Sequence, residues 1–342
     1  MRMPRMSMFC AALFCLGMTL PAVAGNQAYK SEYKLSSVLG KPHAWGVAAE
    51  RWAELISERT QGRINVRVFP GASLVGGNQA SEFTALRQGA IDLAVGGTNN
   101  WSPQIKELSL FSLPFLMPDS KALDTLTSGE VGLEIFRLIE KQGVVPLAWG
   151  DNGFRELSNS RRPVRTPADM KGLKIRVVGS PILTDTFTAL GANPTQMSWA
   201  DAQPALSTGA VDGQENPVSI FSKAKLDTLG QKYLTLWGYA ASPLIFAVNR
   251  DVWNSWSPAD QALVRASALD AAQENIALAR KGILPPDNSA LRELEDRGVN
   301  IVHLTPEERQ DFRKAAQSVY DKWTGSIGTE LVTKAEAAIG SR

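Results

Sequence analysis

Ala85-Leu86-Arg87-Gln88-Gly89-Ala90-Ile91-Asp92 returns 120 positions later as Ala205-Leu206-Ser207-Thr208-Gly209-Ala210-Val211-Asp212. In each copy a helical stretch ends at a glycine, the residue that most readily closes a helix in the left-handed conformation. A strand pattern opens two residues later, and another precedes each copy, at residues 64–69 in the first half and 173–178 in the second. A helix–glycine–strand junction can recur by chance. The sharper reading is two α/β lobes of similar build, with the carboxyl ends of their strands turned toward one shared cleft, where α/β sheets bind ligands.

The flanking sequence keeps the same rhythm. Residues 33–39 alternate in the strand manner, and Trp45, Ala48, Ala49, Trp52, Leu55 and Ile56 then fall at helical spacing up to Gly62. Residues 63–69 alternate again, a helix over about 80–88 follows, and Ile91-Asp92-Leu93-Ala94-Val95 reads as a buried strand. Strands separated by helices imply a largely parallel sheet covered by helices. The last third is helical: Ser257-Pro258-Ala259-Asp260 has the form of a capping box with proline at the first helical position. The helix it opens has room for about 25 residues before Pro285-Pro286. A helix over 289–296, a strand over 299–304 and a cap at Thr305-Pro306-Glu307-Glu308 complete the pattern. No low-complexity linker separates the lobes, so crossing strands are expected to join them.

The N-terminus is of another kind. Arg2 and Arg5 precede an apolar run from Met8 to Met18, and Ala22-Val23-Ala24 supplies small residues at signal-peptidase spacing. The run is shorter than the roughly 20 residues a membrane span needs, and Ala12-Leu13-Phe14 before Cys15 lacks the small residue expected beside a lipidated cysteine. A cleaved signal peptide over residues 1–24 is therefore expected, with the mature protein in the periplasm. Cleavage removes both cysteines, Cys10 and Cys15, and takes 36 basic residues to 34 against 34 acidic. A neutral mature chain offers no global electrostatic case for nucleic acid or anionic membrane.

Inventory limits the enzyme readings. With only His43 and His303, histidine-rich zinc motifs are excluded, and neither H-E-x-x-H nor G-x-S-x-G occurs. Gly71-Ala72-Ser73-Leu74-Val75-Gly76 has phosphate-loop glycine spacing, but Gly77 and Asn78 follow where lysine and a hydroxyl residue are required. No metal or other cofactor is expected. A hydrolase or lyase working with paired carboxylates stays open on sequence alone.

Several residues suggest a bound anion. Arg176 lies in Lys174-Ile175-Arg176-Val177-Val178, a strand whose end should face the cleft, where a guanidinium offers a carboxylate a planar fork of donors. Arg155 sits in the loop-like Asp151-Asn152-Gly153-Phe154-Arg155. The second copy of the echo leaves its strand at Asp212-Gly213-Gln214-Glu215-Asn216-Pro217, where Asn216 can both donate and accept. The first-lobe exit, Gly96-Gly97-Thr98-Asn99-Asn100-Trp101, is also small and amide-rich. Of nine tryptophans, Trp45, Trp52, Trp253 and Trp256 read as packing, whereas Trp199 can serve as a flat wall over a ligand or as core.

At these residues the sequence resembles the DctP-type periplasmic solute-binding proteins of tripartite ATP-independent periplasmic (TRAP) transporters. The resemblance runs over essentially the whole mature chain and is most specific at Phe111-Ser112-Leu113-Pro114-Phe115, at residues 168–177 and at residues 205–217. It implies a two-lobed periplasmic binding protein fold with crossing strands and a long C-terminal helix bracing both lobes. The first lobe would comprise 25–152 plus about 242–283, and the second 153–241 plus about 284–342 with the last helices. It also implies closure on a small organic acid (a sugar acid, a hydroxy or keto acid, or a dicarboxylate) and delivery to a small and a large integral membrane subunit. Arg176 matches the arginine that salt-bridges the solute carboxylate, Asn216 the asparagine beside it, and Trp199 a position usually held by an aromatic. Arg155 also corresponds to a ligand-binding position of the family, in a loop that can be aligned one residue either way. His43, Asn78, Thr98 and Asn99 fall in segments that line the pocket in relatives. Gly97 stands where sialic-acid-binding relatives carry a glutamate, and Asn78 where they carry an aspartate, which argues against sialic acid. A binding protein serving an ATP-driven importer or a sensor kinase is the nearest alternative.

Overall fold

A computed structural model describes residues 29–340; the expected signal peptide lies outside the described residues. Nine strands form one sheet: β1 (Tyr33–Ser37), β2 (Val66–Phe69), β3 (Leu93–Gly97), β4 (Val144–Asn159), β5 (Lys174–Val177), β6 (Asn193–Gln196), β7 (Gly213–Asn216), β8 (Tyr233–Asn249) and β9 (Asn300–His303). Their order is β2-β1-β3-β8-β4-β7-β5-β6, with β9 beside β8. β1, β2 and β3 are mutually parallel and meet β8 antiparallel; β5, β6 and β7 are mutually parallel and meet β4 antiparallel. The long strands β4 and β8 pair with each other along most of their length and belong to both halves. At about 3.3 Å per residue each spans on the order of 50 Å, enough to cross two lobes.

The internal echo marks equivalent places. Gly89 and Gly209 both have positive φ, +76° and +72°, just after the helices Glu82–Arg87 and Trp199–Thr208. The aspartate closing each copy then does the same job: Asp92 accepts from the Lys34 amide at 2.8 Å, and Asp212 from the Lys174 amide at 2.9 Å. Each also takes a cation, Lys30 at 2.5 Å and Arg161 at 2.6 Å. The echoed aspartates thus pin the start of the central strand of each lobe, β1 and β5.

That correspondence corrects one expectation. Residues 173–178 become β5, the counterpart of β1, whereas the counterpart of β2 is β6 (Asn-Pro-Thr-Gln). β6 carries no large apolar side chain and sits at the sheet edge, where a strand proline is tolerated, so alternation could not reveal it. Boundaries shift elsewhere: a short 3₁₀ turn, Gln79–Ser81, precedes the helix Glu82–Arg87, and β3 begins at Leu93 rather than Ile91.

The helix Ala44–Arg59 buries Trp45, Ala48, Ala49, Trp52, Leu55 and Ile56, the stripe its spacing predicted, against the first half of the sheet. The long helix Pro258–Arg280 packs on that helix and on β4. Its N-cap is Ser257, which accepts from the Asp260 amide at 3.1 Å. The reciprocal half of the box is absent, because Asp260 instead accepts from Tyr29 at 2.7 Å and Arg63 at 2.7 Å. The helix stops at Arg280, short of Pro285, where Arg280 binds Asp124 and Asp151 and Gly282 turns at positive φ. It is not the last helix: Ser289–Asp296, Pro306–Ala315, Gln317–Ile327 and Thr329–Ile339 follow. Gln317–Ile327 touches the helix Pro181–Ala189 of the second lobe and the turn Lys106–Ser112, and Thr329–Ile339 touches Ser120–Ser128 and Glu130–Lys141.

Candidate functional site

The strand exits converge as the topology requires. A cleft of about 310 Å³, including its open mouth, is lined from the first lobe by Val38, Leu39, Trp45, Gln79, Asn99 and Asn100. Asn152 and Arg155 on β4 form its floor, and Arg176, Val178, Trp199, Asn216 and Ile220 line it from the second lobe.

Arg176, on β5, is 1% exposed. Its Nε and Nη2 both donate to the Met197 carbonyl, at 3.0 and 2.8 Å, which fixes the plane of the guanidinium. Its Nη1 donates to no protein group, and it forms no ion pair among the described residues. The guanidinium lies over the Trp199 ring, 5.6 Å from its centroid. Burial lowers its pKa to about 10; Glu215 opposes the shift and Arg155 reinforces it. The group therefore stays charged at neutral pH, buried and in no ion pair among the described residues.

Arg155 is equally buried but fully engaged. Its Nε and Nη2 hold the Glu215 carboxylate, Nη2 at 2.8 Å, and Nη2 also donates to the Glu215 carbonyl at 2.8 Å and to Asn216 Oδ1 at 3.3 Å. Its Nη1 reaches Ser242 at 3.3 Å. Burial works against this cation, but the adjacent Glu215 carboxylate outweighs it and raises the Arg155 pKa. Glu215 also accepts from the Tyr239 hydroxyl at 2.9 Å. Asn216 is set between the two systems, its Nδ2 donating to Gln214 Oε1 at 2.5 Å.

The first lobe contributes amides and an indole. Trp45 donates through Nε1 to the Val95 carbonyl at 2.6 Å, and its ring edge lies over Gly97, where a Cβ would come within 2.9 Å. Gly96 seats Trp101, whose ring would meet a Cβ at 1.9 Å. The two glycines therefore make room for indoles more than for a ligand. Gln79 donates to Asn100 Oδ1 at 2.7 Å and accepts from the backbone amide of Trp199 at 3.0 Å. Together with the 2.9 Å contact between the Ser102 and Ser180 hydroxyls, that bond joins the lobes across the cleft.

Of the residues singled out from sequence, Arg176, Arg155, Asn216, Trp199 and Asn99 come together in the cleft. His43, Asn78 and Thr98 are not among the lining residues. His43 occupies the N-cap position of Ala44–Arg59, and burial, with nearby Lys223, lowers its pKa. Asn78 is exposed at the start of the turn Gln79–Ser81. Thr98 is fully buried at the start of the short helix Thr98–Trp101, with its hydroxyl unpartnered. Sequence reasoning missed Gln79, Asn100 and Asn152 and assigned Trp45 to packing alone. Asn100 and Asn152 lay inside stretches already marked, but nothing in a loop's spacing says which of two adjacent amides faces inward.

Known proteins carry the same organisation. Residues 35–326 match the family model DctP, bacterial extracellular solute-binding protein family 7. A TRAP periplasmic solute-binding protein from Ralstonia eutropha H16, solved with bound (S)-2-hydroxy-2-methyl-3-oxobutanoate, superposes with a TM-score of 0.91 at 63% identity, covering 92% of this chain and 100% of that one. The 2,3-diketo-L-gulonate-binding periplasmic protein YiaO of Escherichia coli K12 is 33% identical over 269 residues, 79% of each chain. The C4-dicarboxylate-binding periplasmic protein DctP of Rhodobacter capsulatus is 31% identical over 331 residues, 96% of each. The family match, the shared fold and the paired lobes around one cleft agree: this chain belongs to the bacterial extracellular solute-binding proteins of family 7, the DctP family.

Proposed function

We propose that the chain is the periplasmic receptor of a TRAP transporter, capturing a small organic acid between its lobes and handing it, chemically unchanged, to a small and a large integral membrane subunit. The observation that carries this reading is Arg176, a buried guanidinium with no acidic partner among the described residues, at the wall of a cleft whose other cation, Arg155, is already held by Glu215. An uncompensated buried charge is costly, and a solute carboxylate supplies what is missing through charge-assisted hydrogen bonds. Asn216 stands ready beside the same end of the solute, and Trp199 covers it.

The relatives support the class. One was solved with a hydroxy keto acid, another is named for 2,3-diketo-L-gulonate, and a third for C4-dicarboxylates. Periplasmic residence after loss of residues 1–24 is supported by the basic–apolar–small N-terminal pattern and by periplasmic relatives. Among the described residues no helix is long and apolar enough to cross a membrane. The lobes hinge where β4 breaks register between Asp151 and Phe154, around Gly153 at φ +106°, and where β8 passes the same level. The Gln79–Trp199 and Ser102–Ser180 contacts form as the cleft closes.

A thermal-shift screen of the mature protein against organic acids, with neutral sugars and amino acids as controls, tests the proposal. A ligand at a hundredfold excess over Kd stabilises by about 2.7 kcal/mol. Shifts confined to carboxylates and lost in Arg176→Ala are expected; shifts with neutral compounds alone contradict the reading.

A further inference from the structure

Three charged side chains are buried around the cleft: Arg155, Arg176 and Glu215. Arg155 and Glu215 form a bidentate ion pair and cancel. One net positive charge is left, on Arg176. The first-lobe wall adds none, since Val38, Leu39, Trp45, Gln79, Asn99 and Asn100 are all uncharged. Lys223 is exposed, beside His43, and is not part of the lining. One solute carboxylate balances this site. A second would be enclosed among amides and indoles without a counter-ion, which carries the penalty of an unpaired buried charge.

The remaining polar groups call for a different partner. Asn99 Oδ1 is buried and accepts from nothing, and the Asn152 side-chain amide makes no hydrogen bond among the described residues. A carboxylate cannot donate to an amide oxygen, whereas a hydroxyl can, and an amide nitrogen suits a hydroxyl or keto oxygen. The space is small. The enclosed part of the cleft is only a fraction of a volume of about 310 Å³ that includes its open mouth.

Resting on the solute-binding reading, we infer that the solute is a short monocarboxylate bearing a hydroxyl or keto oxygen, and that C4-dicarboxylates are excluded by the charge count. The specificity lies in Glu215, which occupies Arg155, and in a first-lobe wall without a cation. Glu215→Gln frees Arg155 and raises the site to two positive charges. Asn99→Lys adds a cation from the opposite wall and leaves the buried ion pair intact.

The test is calorimetric titration of the mature protein with two sets of acids. The monoacids are (S)-2-hydroxy-2-methyl-3-oxobutanoate, 2-hydroxybutanoate and butanoate; the diacids are malate, succinate and 2-oxoglutarate. The best monoacid is expected to carry a hydroxyl and to bind at least about a hundredfold more tightly than the best diacid. Malate against 2-hydroxybutanoate is the matched pair, differing by a terminal carboxylate in place of a methyl. Glu215→Gln, or Asn99→Lys if the first variant does not fold, should narrow the ratio of that pair by tenfold or more. Malate binding as tightly as 2-hydroxybutanoate in the unmodified protein overturns this inference and leaves the solute-binding function standing. An unchanged ratio in a folded Asn99→Lys protein also overturns it. Binding of neither set also overturns this inference, whereas the solute-binding reading fails only if the broad organic-acid screen gives no shift.

Discussion

The two lobes share a strand plan but not a chemistry. β2-β1-β3 in the first is matched by β6-β5-β7 in the second, and Asp92 and Asp212 tie down equivalent strand starts. Yet the cations of the cleft all come from the second lobe and the strand leading into it, while the first lobe offers Trp45, Gln79, Asn99 and Asn100. One architecture thus carries an anchor on one side and a shape-and-hydrogen-bond filter on the other. The echo in the sequence marks the shared frame; the differences between the two exits mark the division of labour.

The largest effect should come from the anchor. Arg176→Ala removes the buried partner of the solute carboxylate and is expected to weaken binding by about 2–5 kcal/mol, roughly 30- to 4,000-fold. Arg176→Lys should fall between, keeping charge without the fork. Calorimetry on both variants measures this. Lost binding in Arg155→Ala alone, with Arg176→Ala unaffected, would reverse the assignment of anchor.

Next comes the frame beneath the filter. Gly96→Ala places a Cβ 1.9 Å from the Trp101 ring, so the indole must leave its seat. Overpacking of this kind costs about 1–3 kcal/mol, read as a lower denaturant midpoint. The paired aspartates sharpen the comparison more finely. Asp92→Ala and Asp212→Ala each strand a backbone amide and a cation, and each should lose about 1–3 kcal/mol of stability. Similar losses support equivalent roles; a loss in only one lobe breaks the correspondence.

Each lobe also buries one carboxyl group whose pKa burial raises to about 7: Glu82, hydrogen-bonded to Ser36 and Trp101, and Glu156, to the Trp237 and Gly238 amides. A carboxyl group with its folded pKa raised binds protons more tightly when folded, so its contribution favours folding at low pH. That contribution falls as pH rises from about 4.5 toward 7. Melting temperature should drop over that window by several degrees, and Glu82→Gln or Glu156→Gln should each flatten part of the slope. The smallest effect belongs to the closing contacts: Gln79→Ala deletes the bond to the Trp199 amide and should weaken solute binding by about 0.5–1.5 kcal/mol. A faster off-rate in stopped-flow fluorescence is the expected signature.

Much of the frame was legible in the sequence because it repeats or alternates. The helix stripe from Trp45 to Ile56, the strand around Arg176 and the glycine-closed junctions all follow from periodicity and backbone chemistry. β6 was not legible, since a polar edge strand leaves no hydrophobic signature. In the cleft, Arg176 and Asn216 could be named because a strand and its exit fix their direction. The sequence points to Asn78 where Gln79 faces inward, and to Thr98 and Asn99 where Asn99 and Asn100 do, because loop side chains have no period to orient them. Nor could the sequence tell that Glu215 occupies Arg155; that pairing needs the register of β4 against β7.

The central claim is that Arg176 holds the solute carboxylate. A crystal structure of the mature protein with (S)-2-hydroxy-2-methyl-3-oxobutanoate tests it most directly. The account predicts a carboxylate oxygen within hydrogen-bonding distance of Arg176 Nη1, with the hydroxyl or keto oxygen toward Asn99 and Asn152. A carboxylate turned to the first-lobe amides, with no contact to Arg176, would contradict it.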